Sequence, residues 1–174
     1  MIPVFAVYST FLQRSYDQLL HDVCMQNLHV VFAIDRAGVV GEDGETHQGI
    51  FDISFLMGIP NMHIMAPKNK WELSDMMKFA VAYDGPVAIR YPRGTEGSCK
   101  TSEWKGLDGE LVKSHRTGKD VTIITYGNLL DNALEAAEML AAAGQKVITA
   151  SIMHKPWNGQ TEDHFASMVT WTTC

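Results

Sequence analysis

Val30-Val-Phe-Ala-Ile34 runs directly into Asp35-Arg-Ala-Gly38-Val-Val-Gly41-Glu-Asp43-Gly44-Glu-Thr-His47-Gln-Gly49. An apolar run that stops at a charge pair reads as a buried strand delivering its carboxyl end into a loop. Four glycines fall within residues 38–49, so the backbone there can enter turns closed to residues bearing a Cβ. Around them stand an arginine, an acid and a histidine, which bind anions, hydroxyls and protons. A plain connecting loop seldom carries that inventory.

Strand-like and helix-like stretches alternate on both sides. Val4-Phe-Ala-Val-Tyr8 reads as a buried strand, and Thr10 with Gln13 three residues on matches a capping box. The helix it opens has one apolar stripe: Leu12, Tyr16, Leu19, Leu20 and Val23. Phe11 lies off that stripe, on the face of Arg14, Ser15, Gln18 and Asp22, as either a surface staple or a stacking platform. Beyond the loop come a short apolar segment, Phe51–Met57, and a strand, Met62–Ala66, stopped by Pro67. Asn69 with Glu72 caps a helix expected to reach Tyr83, whose stripe is Leu73, Met76, Met77, Ala80 and Val81. Methionines at that spacing are core filler. Pro86–Tyr91 is the next strand and leads into Pro92-Arg93-Gly94. Residues 95–119 lose all periodicity and read as an interdomain connection. Asp120–Tyr126 is a strand, Leu129–Ala143 a helix with Gly144 as its C-terminal cap, and Lys146–Ile152 a strand. The pattern predicts an α/β protein of two units with parallel sheets: residues 1–95, a link over 96–119, and residues 120–174.

Composition narrows the partners. The chain is 46% hydrophobic and 20% charged, as a globular protein is, and its net charge of −6 offers no basic stripe for nucleic acid. Its three cysteines, Cys24, Cys99 and Cys174, are widely spaced and lack metal-ligand spacing, which points to a reducing compartment. No apolar run approaches the roughly 18 residues of a membrane span. Met1-Ile-Pro-Val-Phe5 has neither the basic region nor the cleavage site of a signal peptide. A cytoplasmic protein is expected, with neither nucleic acid nor membrane as partner.

In open parallel sheets, ligands bind outside the carboxyl ends of the strands. The first strand delivers Tyr8, then Phe11 and Arg14. The second delivers Asp35, Arg36, Asp43 and His47, and the strand at 86–91 delivers Arg90 and Arg93. Three strand-exit arginines with an acid, a histidine and two aromatics suit a small anion, because the guanidinium fork matches carboxylate or phosphate. Each residue also has a plainer reading: Asp35–Arg36 as a turn ion pair, Asp43 as a turn-former before Gly44, His47 and Arg93 as solvated surface groups. Their common placement at strand exits favours a site.

Taken in order, Tyr8-Ser-Thr-Phe-Leu-Gln-Arg14, Asp35-Arg-Ala-Gly38, Gly41–Gly49 with Phe51-Asp52, and Arg90-Tyr-Pro-Arg-Gly94 resemble the 1-deoxy-D-xylulose-5-phosphate synthases. These form a thiamine diphosphate-dependent branch of the transketolase family. Gly-x-Asp-Gly-x-Thr-His-Gln resembles transketolases at large. Asp-Arg-Ala-Gly, Gly49 (where proline would point to transketolase itself) and Arg-Tyr-Pro-Arg-Gly favour the synthase branch. The resemblance implies a pyrimidine-binding domain over 1–95 and the start of a transketolase C-terminal domain over 120–174. It implies a reaction of pyruvate with glyceraldehyde 3-phosphate that yields 1-deoxy-D-xylulose 5-phosphate and carbon dioxide, for isoprenoid precursors and thiamine. It assigns Phe11 to the cofactor's aminopyrimidine ring, and Arg36 and Arg93 to the acceptor's phosphate. Tyr8, Asp43 and His47 fall to the reacting substrates, Arg14 is placed beside them, and a homodimer is implied for the complete enzyme.

The family's Gly-Ile-Ala-Glu-Gln-His segment, with the glutamate that activates the aminopyrimidine, has no match here, nor has the Gly-Asp-Gly…Asn motif that holds Mg2+ and diphosphate. The chain is therefore expected to be an interior fragment, inactive alone and with no metal ligands of its own. The resemblance fades after Lys155-Pro156, and Thr170-Trp-Thr-Thr-Cys174 has no counterpart. The other readings are a transketolase or 2-oxo acid dehydrogenase β-type subunit, and a non-catalytic remnant of the fold. Titration of the isolated chain with thiamine diphosphate and Mg2+ should show weak or no binding by calorimetry; tight binding would overturn the fragment reading.

Overall fold

Hydrophobic residues of the inner strands, which alternate between two covered faces, shape the first unit, whereas the edge strand at Val4–Tyr8, expected to be buried, leaves Val4 and Phe5 exposed. In the computed structural model, which describes residues 1–106, 111–152 and 154–155, strands β1 (Val4–Tyr8), β2 (Val31–Asp35), β3 (His63–Met65) and β4 (Val87–Arg90) form one parallel sheet ordered β1-β2-β4-β3. Phe32, Ile34, Ile64 and Ala88 face one layer with Leu12, Leu19, Cys24 and Leu56. Val31, Met65, Val87 and Ile89 face the opposite layer with Met76 and Ala80 of α3 (Lys70–Ala82). Residues neighbouring in sequence thus enter different cores, as the period-2 geometry of a strand requires. The expected Met stripe is partly core: Met76 is fully buried and Met77 lies at the edge of the same cluster.

Helical structure after β1 differs in detail from the capping-box reading. α1 (Ser9–Leu12) begins two residues earlier, with Tyr8 in the cap position, continues through a 3-10 turn (Gln13–Ser15), and reaches a π-helical stretch (Gln18–Cys24). Thr10 lies inside it, because the cap position falls on Tyr8, and no side chain caps that end. The Thr10 hydroxyl donates to the Thr46 carbonyl at 3.0 Å. The cap at Asn69 forms as expected: its Oδ1 accepts from the Glu72 backbone N–H at 2.9 Å, while Glu72 Oε2 accepts from Lys68 N–H at 2.9 Å. The apolar segment at 51–57 holds a short helix, α2 (Asp52–Leu56).

The second unit is a three-stranded sheet ordered β5-β7-β6, with β5 (Val112–Arg116), β6 (Val121–Tyr126) and β7 (Val147–Ile152), and α4 (Leu130–Ala142) joins β6 to β7. β6 and β7 are parallel, as the alternation predicts. β5 is antiparallel to β7 and lies in the stretch read as an aperiodic connection. Its sequence, Val-Lys-Ser-His-Arg, has one apolar residue in five, so no pattern announces it; pairing with β7 supplies the order. A short β8 (His154–Lys155) adds antiparallel to the edge of the first sheet at β3. Both sheets are therefore mixed at one edge. Gly144 occupies φ +87° after α4, the left-handed conformation the cap requires. The Thr170–Cys174 stretch lies outside the described residues.

Glu103 ties the units together by accepting from both Lys68, before α3, and Lys113 of β5. Hydrogen bonds from Lys113 and Lys68 hold its pKa down at about 2, against an ordinary value of about 4.3. Because the folded-state pKa is depressed, the charged bridge stabilises the fold fully above pH of about 4.3 and is lost as pH falls toward 2. Urea titrations of the parent and Glu103→Gln should differ by a constant amount above that pH, and the difference should shrink through the acid range.

Candidate active site at the strand ends

The site starts from the backbone of the glycine-rich loop. β2 ends at Asp35, and the next residue, Arg36, sits at φ +55°, a conformation rarely adopted by a side-chain-bearing residue. Asp35 holds it there: Oδ1 accepts from the Arg36 backbone N–H at 2.6 Å and Oδ2 from its guanidinium at 2.6 Å. The loop then closes on itself. Gly38 N–H donates to Gly49 O at 2.7 Å, and Gly49 N–H returns a bond to Gly38 O at 2.8 Å. A Cβ at Gly49 would collide with the Arg36 carbonyl and stand 2.7 Å from Ser9 Cβ, so only glycine fits the crossing of loop and α1. Gln48 braces the interior: its Oε1 accepts from Val40 N–H at 2.6 Å, and its Nε2 donates to the carbonyls of Val40 and Gly44, both at 2.7 Å.

That closure brings six candidates into one connected group. Arg36 Nε donates to Asp43 Oδ2 at 2.8 Å, and Arg93 Nη1 donates to Asp43 Oδ1 at 2.6 Å. Asp43 thus joins a residue after β2 to one after β4, with each carboxylate oxygen engaged. Desolvation works against the Arg36 charge, but the Asp43 hydrogen bond and the Asp35 charge outweigh it and raise its pKa. The Arg36 guanidinium also lies 3.9 Å above the Tyr8 ring. Tyr8 stacks on Phe11 at 5.6 Å with the rings 9° apart, and Phe11 meets His47 edge-on at 5.2 Å. Thr46 Oγ1 contacts His47 Nδ1 at 2.9 Å, which leaves Nε2 as the ring nitrogen beyond that contact. Arg14 approaches the Phe11 ring at 6.0 Å, on the rim of the group. Phe11 is 39% exposed, so an aromatic stacked beside Tyr8 still has surface to offer an aromatic ligand.

Arg90 leaves the group. It is buried and makes a two-point pair with Asp52, at 2.8 and 3.3 Å, while stacking at 5.2 Å on Tyr126 of the second unit. Its strand position was legible, but as the last residue of β4 its side chain turns into protein and not toward the loop. Among the described residues, no group of three or more His, Cys, Asp or Glu side chains could hold a metal ion. Cys24 is buried, and burial pushes its thiol up to about 12, so it is no nucleophile. No described helix is long and apolar enough to cross a membrane.

Comparison with known proteins gives the family. The profile described as "Transketolase, pyrimidine binding domain" matches residues 1–96, more than half of the chain, and "Transketolase, C-terminal domain" matches residues 110–167. The chain belongs to the transketolase family. The 1-deoxy-D-xylulose-5-phosphate synthases of Desulforudis audaxviator and Clostridium acetobutylicum are each 50% identical to it over 94% of its length. That of a Geobacillus strain is 54% identical over 81%. The chain spans only about a quarter of these curated relatives, 26%, 27% and 23% of their lengths. Among solved structures, a split-gene transketolase described as an inactive beta4 tetramer shares 29% identity and a TM-score of 0.74, over 86% of this chain and 48% of that one. A Pichia stipitis transketolase in complex with sedoheptulose 7-phosphate shares the fold at a TM-score of 0.76 and 18% identity, over 94% of this chain and 25% of that one.

Within this transketolase-family framework, sequence reasoning passed over Glu42, Gln48 and Asp52. Gln48 and Asp52 lie inside the quoted motifs, but their work is done through contacts to Val40, Gly44 and Arg90 that no spacing rule reveals. Gly49→Ala should lower stability by about 1–3 kcal/mol, the usual penalty of overpacking, and should broaden the backbone NMR signals of residues 36–49. An unchanged denaturation midpoint would show that the crossing has room the geometry denies.

Proposed function

We propose that this chain is the acceptor side of a 1-deoxy-D-xylulose-5-phosphate synthase, which joins pyruvate to glyceraldehyde 3-phosphate with loss of carbon dioxide. The observation that carries the reading is Asp43 suspended between Arg36 and Arg93, with Tyr8, Phe11 and His47 alongside. Two guanidinium groups drawn from different strand ends provide the planar donors that a phosphate dianion accepts from. Asp43 pre-orients both, so little side-chain freedom remains to be lost when the acceptor binds. His47, fixed by Thr46 and packed on Phe11, is placed to donate to or accept from a reacting carboxylate or hydroxyl. Tyr8 shares the same wall, and Arg14 adds positive charge at its rim.

The exposed Phe11 ring fits the aminopyrimidine of thiamine diphosphate, a cofactor that supplies the electron sink for breaking and making bonds to a carbonyl carbon. The ligands for Mg2+ and diphosphate, and the activating glutamate, are proposed to come from polypeptide outside these 174 residues. Exposed Val39, Ile50 and Phe51 flank the loop, and an apolar rim of this kind suits a covering subunit or domain in a homodimer. The proposed division is a pyrimidine-binding domain over 1–95, a link over 96–119 whose β5 already pairs into the second sheet, and a C-terminal domain begun at 120. A cytoplasmic location accords with the chemistry.

The reading is tested by joining the chain to the N-terminal region and the rest of the C-terminal domain of one of its relatives, and measuring carbon dioxide release from pyruvate with glyceraldehyde 3-phosphate. Arg36→Ala and Arg93→Ala should each lower kcat/KM for the phosphorylated acceptor by about 10- to 100-fold, the worth of one charge-assisted contact. The KM for pyruvate should move far less. No turnover in the completed polypeptide, or equal losses for both substrates, would remove this assignment.

A further inference from the structure

The Arg36–Asp43–Arg93 group has a further acidic neighbour. Glu42, next to Asp43 in the 3-10 turn Gly41–Asp43, accepts from Arg93 Nη2 at 2.8 Å. The two acids differ in how they are held. The Asp43 side chain is 16% exposed and is bonded through both oxygens, one to each arginine. The Glu42 side chain is 81% exposed and, among the described residues, pairs with the outer amino group of Arg93, itself 43% exposed. An ion pair so open to water is easily exchanged, because water solvates the released carboxylate and screens what is lost. Asp43 cannot be exchanged so readily, since releasing it would separate the two arginines.

We propose that Glu42 is a displaceable internal anion, which occupies the outer face of Arg93 until a phosphate takes its place and sends the carboxylate into solvent. The inference rests on the reading of Arg36 and Arg93 as the phosphate clamp and adds to it the group that the ligand must replace. The exchange breaks no covalent bond and moves no proton. While the site is empty, Glu42 holds the exposed half of the Arg93 fork in its binding orientation, and it competes with every anion that enters. As an intramolecular competitor it lowers apparent affinity by the factor that the exposed pair is worth, about 1.5- to 5-fold. A weakly held acceptor is the consequence, suited to an enzyme that must also release a phosphorylated product.

Inorganic phosphate titrated into the 174-residue chain, followed by the arginine side-chain NMR signals, tests the idea. E42Q should bind phosphate about 1.5- to 5-fold more tightly than the parent at the same ionic strength. E45Q removes a charge from the adjoining 3-10 turn, Glu45–His47, and controls for the general field of the loop, so its gain should be smaller. R93A should lose most of the binding. Equal affinity in E42Q and the parent, or equal gains in E42Q and E45Q, would overturn the displacement while the loss in R93A keeps the clamp. Phosphate bound equally by R93A and the parent would overturn the clamp itself, and the displacement with it.

Discussion

The pair of backbone hydrogen bonds between Gly38 and Gly49 is the constraint on which the site depends. It closes the loop after β2 into a ring, and the ring decides where Asp43 and His47 stand relative to Arg36. The closure works only because residue 49 has no side chain: the Arg36 carbonyl and Ser9 of α1 occupy the space where a Cβ would go. Proline would also remove the N–H that donates to Gly38 O. One crossing thus ties together the exit of the first strand, the exit of the second and the loop between. The Thr10 hydroxyl on the Thr46 carbonyl adds a second tie between α1 and the same loop, one residue before His47.

Charge placement follows from that frame. Two arginines brought together at a strand edge would repel each other and splay into solvent unless an anion lay between them. Asp43 fills that role with one oxygen for each, and Asp35 holds the backbone of Arg36 in its left-handed conformation. The acids are therefore compatible with the anion site proposed for these arginines. They hold the guanidinium groups in place, and the most exposed of them, Glu42, is the one proposed to give way to a ligand. A net charge of −6 across the chain is compatible with this, because the field at the site is set by partners within a few ångströms and distant charges are screened.

Much of this was legible in the residues. The β-α alternation, the Asn69–Glu72 cap, the Gly144 stop and the strand-exit positions of Tyr8, Phe11, Arg36, Asp43, His47 and Arg93 follow from periodicity and turn chemistry. Three features did not. Thr10 carries a capping signal, yet the helix starts before it, at Ser9, and its hydroxyl ties the helix to a carbonyl 36 residues away. β5 has too few apolar residues to show a period, and exists because β7 offers it an edge. Arg90 sits at a strand exit like Arg93, but Asp52 pulls it into the interior. Each miss has the same form: a local signal is outweighed by a partner distant in sequence.

The parallel α/β core was already written in the residues, because apolar strand runs alternating with helical stripes, and stopped by glycine and proline, permit few other arrangements. The sequence also determined which chemical groups stand at the strand ends, since strand length and direction alone place them there. Which of those groups meet depends on the fold. Asp43 bridges Arg36 and Arg93, fifty residues apart in the second case, while Arg90 three positions earlier is committed elsewhere. The physical reason is that hydrogen bonds and ion pairs act over about 3 Å, a distance that strand registry and loop closure set and that sequence spacing cannot express.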